Sequence, residues 1–174
     1  MPVTITIGTN SYISVADATT YFSERLYSTA FTGAAADDQA KALIMATKKI
    51  DRMQIRGVKA VADQTLEFPR ALYAHGEGYE APIVGMRHLH GAGWVVETEV
   101  SQDVLDAVCE EAMALLAGGS TANQRAELQA QGVKAFSIGK LSETFKTGIS
   151  GERLLSLEAK QLLQRYLSGG AVIV

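Results

Sequence analysis

Cysteine occurs once, at Cys109, so no disulfide can form within the chain and a reducing compartment is expected. Aromatic residues make up 7% of the sequence, a poor supply of base-stacking platforms for a dedicated single-strand binder. Positive charge is not in excess. The 16 Lys and Arg face 19 Asp and Glu, giving a net charge of −3. That excludes wrapping nucleic acid by net charge and leaves only local basic patches. No apolar run approaches the roughly 20 residues of a membrane span, and no membrane partner is expected. The start, Met1-Pro2-Val3-Thr4, has neither a basic nor an apolar leader pattern, so no secretion signal is expected.

Recognisable catalytic chemistry is also missing. His88 and His90, with His75 upstream, have no cysteine or suitably spaced carboxylate beside them. They read as loop histidines, not as a metal site. Cys109 lies beside the apolar face of an acidic helix, where acids raise a thiol pKa; it reads as a buried structural residue. Gly76-Glu77-Gly78 lacks the Lys and Ser/Thr of a phosphate loop, and no Gly-x-Ser-x-Gly elbow occurs. Glu110 and Glu111 are adjacent on a helix and face apart. The sequence therefore reads as a non-enzyme with no cofactor.

What is present is a globular composition, 47% apolar and 20% charged over 174 residues. A chain of this length buries about 70% of its unfolded surface and suits one domain, 1–174. Val3 to Ile7 alternates like a strand. Ser14 is a helix cap with Asp17 in the first turn, and Val15, Ala18, Phe22 and Leu26 share one helical face. Thr32 to Ala36 is a small-residue connection. A second helix is predicted over 36–54, with Leu43, Ala46, Ile50 and Met53 inward and Lys41, Lys48 and Arg52 on the opposite face. Six basic residues and one acid, Asp51, lie between Lys41 and Lys59. The stripe reads first as a solvated helix face and second as a contact for phosphate or an acidic partner.

The period is lost from Gly57 to Pro69, where proline excludes a continuing helix. Residues 71–100 form an extended loop or second hairpin, with strand pieces at Pro82-Ile83-Val84 and 94–100 around Gly91-Ala92-Gly93. Ser101 caps a helix predicted over 102–117 and stopped by Gly118-Gly119. Val104, Leu105, Val108, Ala112, Leu115 and Leu116 form its apolar face, and Asp103, Asp106 and Glu110 an acidic stripe. Residues 132–147 read as a hairpin turning at Gly139-Lys140. The last helix, 152–167, turns Leu155, Ala159, Leu162, Leu163 and Tyr166 inward and stops at Gly169-Gly170. An apolar tail follows, Ala171, Val172, Ile173 and Val174. The fold class is mainly α: a small helical bundle with a β-hairpin insertion.

Several segments in order resemble a known pattern. They are Ser11 to Ala18 with Tyr21-Phe22, Ala42 to Thr47 with Ile50-Asp51, and the run Gln64, Leu66, Phe68, Pro69 and Arg70. Val104 to Ala117, Ser137 to Ser142 and Leu162-Leu163-x-x-Tyr166-Leu167 complete them. The sequence is similar to head–tail connector (adaptor, head completion) proteins of tailed bacteriophages, whose relatives are often labelled DnaT-like single-stranded-DNA-binding proteins. Phe68 stands where the family usually carries Trp, and residues 71–100 are longer than its pattern.

The resemblance implies a ring, a dodecamer, beneath the portal in the virion neck, assembled in the host cytoplasm, with DNA passing through its channel without sequence-specific binding. The portal and a tail-side neck or stopper protein are the implied partners. Lys41, Lys48, Arg52, Asp103, Asp106 and Glu110 are candidates for a subunit interface or the lumen. Ala171 to Val174 is the candidate portal contact, as a strand added to a sheet edge. Gly139 and Lys140 are candidates for a neighbour or tail contact. The alternative is a single-stranded-DNA-binding protein of phage replication.

Overall fold

Four other helices gather around one long helix. The computed structural model describes residues 2–73, 86–88, 94–130, 135–138, 141–144 and 154–167. The helices are α1 (Val15–Ser23), α2 (Thr29–Thr32), α3 (Ala36–Asp51), α4 (Gln102–Ala130) and α5 (Leu157–Leu162), followed by a 3-10 turn, Gln164–Tyr166. Helix α4 packs against all the others. Its Val104, Ala107, Val108, Cys109 and Ala112 are buried together with Phe22, Phe31, Leu43, Ala46, Ile50, Ala159, Leu163 and Tyr166. The mainly α class with a hairpin insertion is therefore correct.

The caps read from sequence form at α1, where Ser14 Oγ accepts from the Asp17 amide and donates to its carboxylate. Other boundaries moved. Helix α1 ends at Ser23, so Leu26 leaves the inward face and is 78% exposed. Thr29–Thr32 closes one helical turn that buries Phe31, within a stretch that gave no periodic signal. Helix α4 does not stop at Gly118-Gly119 but runs on to Ala130. A glycine pair weakens a helix without ending it when no proline or capping geometry follows. The last helix is far shorter than 152–167, because Ser156 caps it at the Ala159 amide and Leu163 ends it.

Val3 to Ile7 forms no strand; only an isolated bridge, Ile7 to Ser11, occurs there. The Asn10 side chain accepts from the Thr6 amide at 2.8 Å and donates to the Thr4 carbonyl at 3.0 Å. It serves the groups that a ladder would have paired.

The region 58–97 is a four-stranded antiparallel sheet. Strands β1 (Val58–Lys59), β2 (Arg70–Tyr73), β3 (Met86–His88) and β4 (Trp94–Glu97) lie in the order β1-β2-β4-β3. Tyr73 opposes Trp94 and His88 opposes Val95, so β4 pairs with both β2 and β3. Strands β1, β2 and β3 were not foreseen. Pro82 to Val84 and the Gly91-Ala92-Gly93 turn lie outside the described residues. Gly57 precedes β1 with φ +77°, and a Cβ there would lie 2.2 Å from the Ala71 carbonyl oxygen, so only glycine fits. The hairpin of β5 (Ala135–Ile138) and β6 (Leu141–Thr144) pairs Ile138 with Leu141, in the expected register.

Candidate functional site

The Gln64 to Arg70 run builds a crossing point between helices and sheet. Arg70 is buried, and its guanidinium donates to the carbonyls of Arg56 at 2.7 Å and Gly57 at 2.7 Å and to the Glu67 carboxylate at 2.6 Å. Its amide donates to Glu97 at 3.1 Å. Gln64 Nε2 reaches the Leu66 and Pro69 carbonyls, and Gln64 Oε1 accepts from the Val61 amide. The Phe68–Pro69 peptide is cis. Phe68 packs edge-on between Tyr12 and Tyr166, so it serves the core and offers no ring to a base. Leu66 is buried in the same cluster. Five residues singled out as a family motif thus close one network, and its role is structural.

Three further buried networks surround α4. Glu111, fully buried, accepts from Lys49 Nζ at 2.8 Å and from the Leu155 and Ser156 amides at 3.0 and 2.9 Å. Glu110, also buried, pairs with the Arg25 guanidinium and accepts from the Tyr21 hydroxyl at 2.8 Å. Tyr166 donates to buried Glu97 and lies 2.9 Å from Ser101 Oγ. Burial, reinforced by the Glu97 hydrogen bond, pushes the Tyr166 phenol up to about 12. Burial also raises the Cys109 thiol, with Asp106 and Glu110 adding to the effect, which fits the inert structural role expected of it.

The predicted charge stripes divide. Glu110 does not belong to an outward acidic stripe: helices pack on several sides of α4, so its carboxylate is inside and paired. Asp103 is 43% exposed and pairs with Arg165 at 3.2 Å; Asp106 is half-buried and accepts from Gln102 at 2.7 Å. On α3 the basic stripe stays on the surface. Lys41 pairs with Asp38 at 2.8 Å, a bond within the helix's first half. Lys48 and Arg52 are exposed one turn apart, and exposed Arg56 follows where the chain leaves the helix, its amide bonded to the Tyr166 carbonyl at 2.7 Å. Lys49, one of the six basic residues counted between Lys41 and Lys59 but not part of the predicted stripe, turns inward to Glu111. A signal for that was available: Glu111 sits among Ala107, Val108, Ala112 and Leu115 and needs a cation if buried.

Gly139, Lys140 and Ala171 to Val174 lie outside the described residues, as do His75 and His90. Among the described residues no group of three potential ligands could hold a metal ion, and no helix is long and apolar enough to cross a membrane.

These features define a small, mainly helical protein with a solvated basic face on α3 and internally paired acids. A family model described as "Putative DnaT-like ssDNA binding protein" matches residues 3–174, and the chain belongs to that family. No curated protein and no solved structure matches it. The DnaT-like side of the resemblance is thereby established, while nothing in these comparisons names a head–tail connector.

Proposed function

We propose that this chain binds single-stranded DNA without sequence preference, through phosphate contacts on the outer face of α3. The observation that carries this reading is the division of cations on that helix. Lys49 neutralises a buried carboxylate, while Lys48, and Arg56 just beyond the helix end, are exposed. A chain with net charge −3 can hold a polyanion only through such a local patch. The description of the family supports the same reading. Two phosphate contacts, from Lys48 and Arg56, give weak, salt-sensitive binding: the slope of log K against log salt is about −1.4, a roughly sevenfold loss between 50 and 200 mM. Fluorescence anisotropy of a labelled oligothymidylate tests this, with Lys48→Glu/Arg56→Glu as the control. Binding that is absent, or that this variant leaves unchanged, rejects it.

A second reading is a ring-forming structural subunit at a phage head–tail junction, with the portal, a tail-side neck protein and passing DNA as partners. The specific support is a set of apolar side chains left in water by a single copy: Ile7 at 60%, Met45 at 49%, Val58 at 54% and Val61 at 57% exposed. In this reading Lys41, Lys48, Arg52, Asp103 and Asp106 remain interface or lumen candidates. Rings in negative-stain images, from a protein without affinity for DNA, would decide for it. Neither reading assigns a catalytic step.

A further inference from the structure

The turn between α1 and α2 holds a bulky side chain in a backbone conformation that such residues avoid. Tyr27 has φ +59°, in the left-handed region where the Cβ of an L-residue is crowded. Tyr27 is 91% exposed, and its neighbour Leu26 78%. Burial therefore does not offset the cost of the conformation, and among the described residues the Tyr27 hydroxyl has no hydrogen-bond partner.

The turn is nevertheless tied down. Arg25 Nη1 donates to the Leu26 carbonyl at 2.7 Å, while Nε and Nη2 of the same guanidinium grip Glu110, with Nη2 to Oε2 at 2.8 Å. Glu110 is anchored in the central helix and 1% exposed. A buried carboxylate thus fixes, through one arginine, the carbonyl immediately before an exposed aromatic ring. Strain held in place by surrounding structure, with no packing in return, points to a ligand.

We propose that Tyr27 is a stacking platform for a base of single-stranded DNA, edged by Leu26. This deepens the proposed function and rests on it. Size selects the occupant. Two side chains fall far short of the roughly 800 Å² per partner of a stable protein interface, whereas one ring face matches one nucleobase. Tyr27 is also the only aromatic among the exposed large apolar side chains of the residues whose burial is described. A single platform gives a modest preference for unpaired bases on top of the phosphate contacts.

The test compares the unmodified chain with Tyr27→Ala, Tyr27→Trp and Tyr27→Gly. Each is measured against oligothymidylate and an abasic strand of equal length, with melting temperature and sedimentation alongside. Tyr27→Ala is expected to weaken oligothymidylate binding about tenfold and to leave abasic binding unchanged. Tyr27→Trp keeps the affinity. Tyr27→Gly loses it while raising the melting temperature, because glycine accepts the left-handed conformation. Equal affinity of the unmodified chain for both strands, or of Tyr27→Ala and the unmodified chain for oligothymidylate, overturns the platform but not the phosphate contacts. No binding to either strand overturns both. If Tyr27→Ala alters self-association and spares DNA binding, the ring belongs to a second copy and stacking is rejected.

Discussion

Glu111 Oε1 and Lys49 Nζ lie 2.8 Å apart with the carboxylate fully buried, and the same carboxylate receives the Leu155 and Ser156 amides. One acid on α4 therefore joins α3 to the entry of α5. The six-residue α5 is too short to be stable alone and depends on that docking.

Removing either partner strands the other. Lys49→Met leaves a buried carboxylate without its counter-ion, and Glu111→Ala leaves an inward lysine and two unserved amides. Each is expected to cost about 3–5 kcal/mol in urea unfolding, whereas Lys41→Met, in a solvent-screened surface pair, is expected to leave the urea midpoint nearly unchanged. Equal losses at Lys41 and Lys49 would contradict the burial argument.

Arg70 works by geometry as much as by charge. Its fork serves the Arg56, Gly57 and Glu67 carbonyls and the Glu67 carboxylate together. Lysine cannot span those acceptors. Arg70→Lys is expected to lower stability by about 2–4 kcal/mol, from at least two bonds lost in a buried site. A shift below about 0.5 kcal/mol, the range of ordinary surface changes, would show the fork to be dispensable.

Much of this was legible from sequence. The 3.6-residue spacing of Leu43, Ala46 and Ile50 gave α3 and its inward face. The alternation around Gly139-Lys140 gave the β5–β6 register. Ser14 with Asp17 gave a cap that forms as read. The basic face of α3 was visible too, because exposed charge follows the same period. Buried ionic partners were not. Lys48 and Lys49 look alike in sequence, and only the packing of α3 on α4 decides which faces Glu111. Likewise Glu110 joined Asp103 and Asp106 at helical spacing, but a helix enclosed on several sides has no continuous outer stripe. Tyr27 gave no signal at all, since the carbonyl before it is held by Arg25, whose own partner Glu110 lies 85 residues away in the sequence.

A loss of stability as the pH rises follows from Asp51. Its carboxylate accepts from the Tyr12 hydroxyl at the C-terminal end of α3, and burial raises its pKa above the usual carboxylate range despite that bond. The folded state then binds the proton more tightly than the unfolded one. The resulting stability is fully present below the unfolded value, about pH 4, and is lost as pH rises through the folded value. Asp106, also raised by burial, acts in the same direction. Asp51→Asn, which keeps an acceptor for Tyr12, is expected to flatten the fall in urea midpoint as the pH rises above about 4. Parallel profiles for the two proteins would contradict the assignment.

Cys109 supplies a probe of the core. It is buried against acids that hold its thiol protonated. A thiol reagent at mildly alkaline pH is expected to leave the native chain unmodified and to label one thiol per chain in urea. Rapid labelling without denaturant would mean that α4 opens far more readily than its packing implies.

The salt dependence of oligothymidylate binding tests the proposed function most directly. With Lys48 and Arg56 on the phosphates, the expected slope of log K against log salt is about −1.4, falling to near zero in Lys48→Glu/Arg56→Glu. No measurable binding at low salt, or a slope that this variant leaves unchanged, would contradict a phosphate-binding role for the outer face of α3.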